Sequence, residues 1–97
     1  MGFFDYFFGS GNTYSPDMKL LSRDDIRIIV SRARVKTLDQ KEELAVEEAI
    51  DHARLDGRIS MKKIDETLRH LVSNRTISIN DKKGLLTQFE HHFTSQK

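Results

Sequence analysis

Four histidines, His52, His70, His91 and His92, are the whole supply of imidazole in this sequence, and there is no cysteine. Without a thiolate there is no disulfide framework, no sulfur-ligated metal and no cysteine nucleophile. Zinc held by nitrogen wants histidines one helical turn apart, completed by a carboxylate. His52 and His70 fall on different helical stretches, and His91 and His92 are adjacent, so they point in different directions on a helix. All four read as surface or helix C-terminal histidines, where the helix dipole favours them. No Gly-rich phosphate loop, nucleophile elbow or isolated carboxylate pair stands out. No catalytic residue, metal or cofactor is therefore expected, and the chain reads as non-enzymatic.

The unusual chemistry is apolar and lies at the start of the chain. Residues 1–17 hold six of the eight aromatics and three of the five glycines. Wound as a helix, Phe3/Phe7 and Phe4/Phe8 make two adjacent i, i+4 pairs and a continuous aromatic face. Burying four phenylalanines is worth up to about 6–12 kcal/mol before ordering costs. Eight residues do not hold a helix alone in water, so this segment orders only against something. Three occupants suit it: the chain's own small core, which otherwise has only Phe89 and Phe93, a partner protein or second copy, and a membrane interface. The last lacks the basic residues that assist binding to anionic lipid. Gly2 does not complete a myristoylation motif, because Tyr6 stands where Ser or Thr is required. Phe3, Phe4, Phe7 and Phe8 are assigned as partner-binding residues.

A second candidate surface is basic. Arg23, Arg27 and Arg34 at i, i+4 and i+11 form a stripe suited to phosphate, and Lys82 and Lys83 sit near the start of the last helix. Gly57-Arg58-Ile59-Ser60, followed by Ile64 and Leu68, resembles the entry to the first helix of a helix-turn-helix repressor. This resemblance implies DNA binding, with the last helix as recognition helix. The connection from Ser73 to Ile79 is longer than the usual turn of that motif, and Asp81 would face phosphate. The run Asp56-Gly57-Arg58-Ile59-Ser60 also resembles the second half of an EF-hand loop. That alignment puts Arg54 at a ligand position and Lys63 where calcium needs a bidentate Glu. The bland reading, a helix-ending Gly57 followed by a capped helix, is preferred.

Composition bounds these choices. Ninety-seven residues and 11.3 kDa allow one domain, and the formal net charge of +1 excludes a strongly basic nucleic-acid-coating protein. No apolar run reaches the roughly 18 residues needed to span a bilayer, and the start lacks a basic n-region. A cytoplasmic protein, from a bacterium or phage by its size and style, is the expectation. Charge alternates by block: residues 18–36 carry +4, residues 39–56 carry −5 and residues 58–75 carry +3. Consecutive helices of opposite sign are expected to pack as neighbours.

The elements that must position these residues are helical. Ser22 and Asp25 make a near-capping box before Ile26, Ile29, Val30 and Ala33 at helical spacing. Asp39 to Glu42 open a second helix carrying Val46, Ala49, Ile50 and Ala53, which Gly57 stops. Ser60 caps a third, with Met61, Ile64, Leu68, Leu71 and Val72 inside, and Asn74 ends it. Ser78 or Asn80 opens a fourth with Leu85, Leu86, Phe89 and Phe93. Arg58-Ile59-Ser60 and Thr76-Ile77-Ser78 echo each other. They read as hydrophobic staples, or as two extended pieces pairing side by side. A second apolar row, Leu21, Ile28 and Val35, would face the bundle or a dimer interface.

The expectation is an all-α protein, a small bundle of about four short helices behind an aromatic N-terminal headpiece. Residues 1–17 form the aromatic segment and connector, and residues 18–97 the helical domain. The function expected is protein interaction, with another protein or with itself, with peripheral membrane contact through the N-terminus as a further option. The alternative is a small helix-turn-helix DNA-binding regulator.

Overall fold

The computed structural model describes residues 14–33 and 39–95. Four helices follow in order: α1 (Arg23–Arg32), α2 (Gln40–Ala53), α3 (Met61–Ser73) and α4 (Ile79–Ser95). Two short strands, β1 (Lys19–Leu20) and β2 (Arg58–Ile59), complete the described residues. The architecture is an all-α small bundle. None of the described helices is long and apolar enough to cross a membrane.

Each helix starts where a short polar side chain can satisfy the free N–H groups of its first turn. The Ser22 hydroxyl accepts from the Asp25 N–H at 3.0 Å, while the Asp25 carboxylate accepts from the Ser22 N–H at 3.3 Å. Asp39 and Glu42 do the same for α2 at 2.8 and 2.9 Å. For α3, the Ser60 hydroxyl accepts from Lys63 N–H at 3.0 Å. Ser78, rather than Asn80, caps α4, exchanging bonds with Asp81 at 2.9 and 3.0 Å.

The apolar stripes meet in one core. Ile26, Ile29 and Val30 of α1, Val46 and Ile50 of α2, Ile64, Leu68 and Leu71 of α3, and Leu85, Leu86, Phe89 and Phe93 of α4 are all buried in it. Consecutive helices pack on one another, and α4 closes back on α1, so the bundle is a ring. The charge blocks fit this order, because Arg23 of α1 reaches Asp51 of α2 at 3.1 Å and Glu47 at 4.0 Å.

Two connections differ from the sequence expectation. Helix α2 ends at Ala53, with Arg54 already extended, so Gly57 does not stop it. Instead Leu55 and Arg58 exchange both backbone hydrogen bonds, at 2.8 and 3.0 Å, around Asp56 (φ 54°) and Gly57 (φ 76°). Positive φ at both central residues is the type I′ hairpin turn, for which Asp-Gly is a preferred pair. Ile59 does pair as a strand, but with Lys19, while Leu20 pairs with Arg58. Its echo, Ile77, stays outside the sheet, and its N–H donates to the Leu71 carbonyl at the end of α3.

The second apolar row on α1 also divides. Leu21 precedes the helix and is buried in the core, Ile28 is exposed, and Val35 lies outside the described residues.

Candidate interaction surface

The small sheet sets a group of side chains that the helices alone would not assemble. Directly opposed residues of an antiparallel pair project to the same face. Leu20 is opposite Arg58 across β1 and β2, and Leu55 is opposite Arg58 across the hairpin. The Leu21 N–H donates to the Gly57 carbonyl at 2.9 Å. Leu20 and Arg58 are thereby a non-hydrogen-bonded pair, whose side chains sit closest. The three form a row, Leu20–Arg58–Leu55, on the outer side of the sheet. The inner side is closed by Ile59, which is buried in the core. Leu20 is 61% exposed and Leu55 69%, and Met18, two residues before Leu20, is 47% exposed. The turn is tied to the bundle by Arg54, whose guanidinium donates to the Leu21 carbonyl at 2.7 Å and also bonds Asp51.

The basic candidates are dispersed. Arg23 is engaged with Asp51 and Glu47, and Arg27 pairs with Asp24 at 3.2 Å within α1. Lys82 points inward, its side chain only 12% exposed, and its Nζ lies 3.2 Å from buried Asp65. Lys83 is exposed on α4. Arg34 lies outside the described residues, as do Phe3, Phe4, Phe7 and Phe8. Arg23 and Arg27 line an open groove of about 1020 Å³ between α1 and α2, together with Asp24, Glu43, Glu47 and the exposed Leu44. Its wall carries both signs of charge.

Among the N-terminal aromatics, Tyr14 is described, and it packs part-buried against the core. Burial raises its phenol pKa, and the carboxylates of Glu90 and Asp65 raise it further. The next residue, Ser15, accepts a hydrogen bond at 3.1 Å from the Lys62 N–H in the first turn of α3. The chain thus meets the bundle at α3 and α4 before it enters β1.

Comparison of the chain with family models, with curated proteins and with solved structures finds no match.

The histidines fall in two places. His52 and His70 line a groove of about 460 Å³ between α2 and α3, with the His52 Nδ1–H donating to the Glu48 carbonyl at 2.8 Å. His92 Nε2 lies 4.0 Å from Asp25 Oδ2 across α4 and α1. No group of three His, Asp or Glu among the described residues is placed to hold a metal ion.

Sequence reasoning missed Leu20, Leu55 and the buried Asp65. The Asp-Gly dipeptide was the available signal for Leu55, since it marks a hairpin as readily as a helix end; Leu20 had none. Asp65 falls on the inner face of α3 beside Ile64 and Leu68, where a carboxylate in an apolar stripe signals a buried partner.

Proposed function

We propose that this chain is a non-enzymatic protein-interaction module that binds another protein or itself through apolar side chains. The observation that carries this reading is the outer face of the small sheet. There Leu20 of β1 and Leu55 at the hairpin turn stand largely exposed, on backbone held by hydrogen bonds of the sheet and turn and by Arg54. Large exposed apolar side chains grouped on a rigid support mark contact sites more often than scattered ones do. Phe3, Phe4, Phe7 and Phe8, a short distance upstream in the sequence, add a second apolar element of the same kind. A cytoplasmic setting, in a bacterium or phage, belongs to this reading.

DNA binding is the competing reading. The engagement of Lys82 with Asp65, and of Arg23 with Asp51 and Glu47, leaves it fewer available cations. The two readings separate on salt, because neutralising phosphates makes affinity fall steeply with ionic strength. The full chain is immobilised and exposed to cell extract and to duplex DNA at low and at moderate salt. Capture of a specific protein that survives moderate salt and is lost with Phe4→Ser/Phe7→Ser or with Leu20→Ser/Leu55→Ser supports the interaction reading. DNA retention that disappears at moderate salt and falls with Arg23→Ala or Lys83→Ala overturns it. So does a chain that captures nothing and does not associate with itself.

A further inference from the structure

We propose that His92 and Asp25 form a proton-operated latch on the seam where α4 closes against α1. The latch is closed between about pH 4.5 and about pH 6 and is released above about pH 7.5. It does not rest on the interaction reading above.

This seam completes the ring, since α1 and α4 are the first and last of the described helices. His92 Nε2 faces Asp25 Oδ2 across it at 4.0 Å. That separation is too long for a hydrogen bond. A neutral imidazole therefore gains almost nothing from Asp25, whereas a charged one is attracted to it. Both partners are held in place by other contacts. Asp25 Oδ2 accepts from the Ser22 N–H, and the Ser22 hydroxyl accepts from the Asp25 N–H, so the capping box fixes the carboxylate at the start of α1. The His92 side chain is only 23% exposed, and its ring meets that of buried Phe93 edge-on, with centroids 5.5 Å apart.

The surrounding charges set the sign. Asp25 and Arg32 of α1 and His91 and His92 of α4 line a cleft of about 150 Å³ floored by Ile28 and Ile29. Among the described residues of that cleft, Asp25 is the one carboxylate. Arg32 and His91 oppose a charge on His92, but both are exposed, and water and salt screen them. Toward α3, the other helix packed on α4, Asp65 and Arg69 are engaged with Lys82, and Glu90 acts on Tyr14. Histidine carries its charge below about pH 6.5 and aspartate carries its own above about pH 4. A histidine that gains an acidic partner on folding adds stability below its range and loses it as the pH rises through that range. Acid therefore tightens the seam until the carboxylate itself is protonated.

A double-mutant cycle of His92→Gln and Asp25→Asn, read by urea unfolding of the full chain at about pH 5.5 and about pH 8, tests this. Asparagine keeps a side-chain oxygen for the Ser22 N–H, so the substitution removes the charge and leaves the cap. The expected coupling is roughly two- to fivefold in the unfolding equilibrium constant at the lower pH and none at the higher. His92 also stands in the last turn of α4, where the helix dipole favours a charged histidine without any partner. A pH-dependent loss in His92→Gln that persists undiminished in the Asp25→Asn background belongs to that dipole and overturns the latch. Coupling of equal size at both pH values overturns it too, since such a contact is indifferent to the proton. So does the absence of coupling at the lower pH. His70→Gln, in the groove between α2 and α3, serves as the control and shows no coupling to Asp25. Coupling of the same size there would trace the effect to the overall charge of the chain and overturn the assignment to His92.

Discussion

Lys82 Nζ on α4 lies 3.2 Å from Asp65 Oδ1 on α3, and Arg69, one turn along α3, bonds the other oxygen of the same carboxylate. Asp65 is buried, so the two cations compensate a charge that water does not reach. Removing one partner of a buried pair leaves the other uncompensated, whereas replacing both with apolar groups of similar size costs much less. Asp65→Ala is expected to lower the unfolding free energy by about 3 kcal/mol in urea titrations. Asp65→Leu combined with Lys82→Met should cost clearly less than that. A single Asp65→Ala that is nearly neutral would show that this contact does not bind α3 to α4.

The hairpin turn makes a separate demand on the backbone. A Cβ at Gly57 would meet nothing within 4 Å, so space is not what restricts this position. Its φ of 76° does, since only glycine, and to a lesser degree Asn and Asp, adopts that region without strain. Gly57→Asn should be well tolerated. Gly57→Val is expected to cost about 1–2 kcal/mol, measured by thermal unfolding. Equal midpoints for the two variants would refute the type I′ assignment.

The end of α3 offers the converse case. The N–H groups of Thr76 and Arg75 donate to the carbonyls of Leu71 and Val72 at 2.8 and 3.0 Å, which is the Schellman pattern. The left-handed residue it requires is Arg75, at φ 66°, where most helices use glycine. Arg75→Gly should raise stability by about 0.5–1 kcal/mol, the relief of strain being offset in part by the extra freedom of glycine when unfolded. A lowered melting temperature would count against this account of the cap.

Asp51 connects stability to pH. The hydrogen bond from Arg54, the Arg54 charge and the charge and hydrogen bond of Arg23 hold its pKa below the usual carboxylate value. A carboxylate with a depressed folded pKa stabilises the fold above its unfolded pKa of about 3.9, and that contribution is lost as the pH falls through the folded value. The melting temperature of the native chain should exceed that of Asp51→Asn near neutral pH. The gap should close as the solution is acidified below about pH 4. A gap that does not change with pH would mean the carboxylate acts through shape rather than charge.

The helices were legible because their signals are local. Ser22 with Asp25 and Asp39 with Glu42 cap within four residues, and stripes such as Leu85, Leu86, Phe89 and Phe93 follow the helical repeat. The bonds that define them close over three or four residues, so a linear sequence contains them whole. Even the pairing of α1 with α2 was foreshadowed by opposite charge, and Arg23 with Asp51 carries it out.

The candidate surface was not legible, because its parts are distant in the chain. Leu20 and Leu55 come together only when β1 pairs with β2, and nothing in the sequence near Met18 or Lys19 announces a strand of two residues. Asp56-Gly57 favours positive φ both at a helix end and in a hairpin, and the choice between them depends on whether a second strand is present to accept the turn. In the same way, Lys82 reads as a surface cation until the packing of α4 on α3 brings Asp65 beneath it. The sequence by itself determined where the helices begin, which faces they bury and that the fold is all-α, since those are matters of short-range hydrogen bonding and periodicity. Only the tertiary structure decided which charges are spent inside the molecule and which leucines stand outside it, since these depend on contacts between residues far apart along the chain.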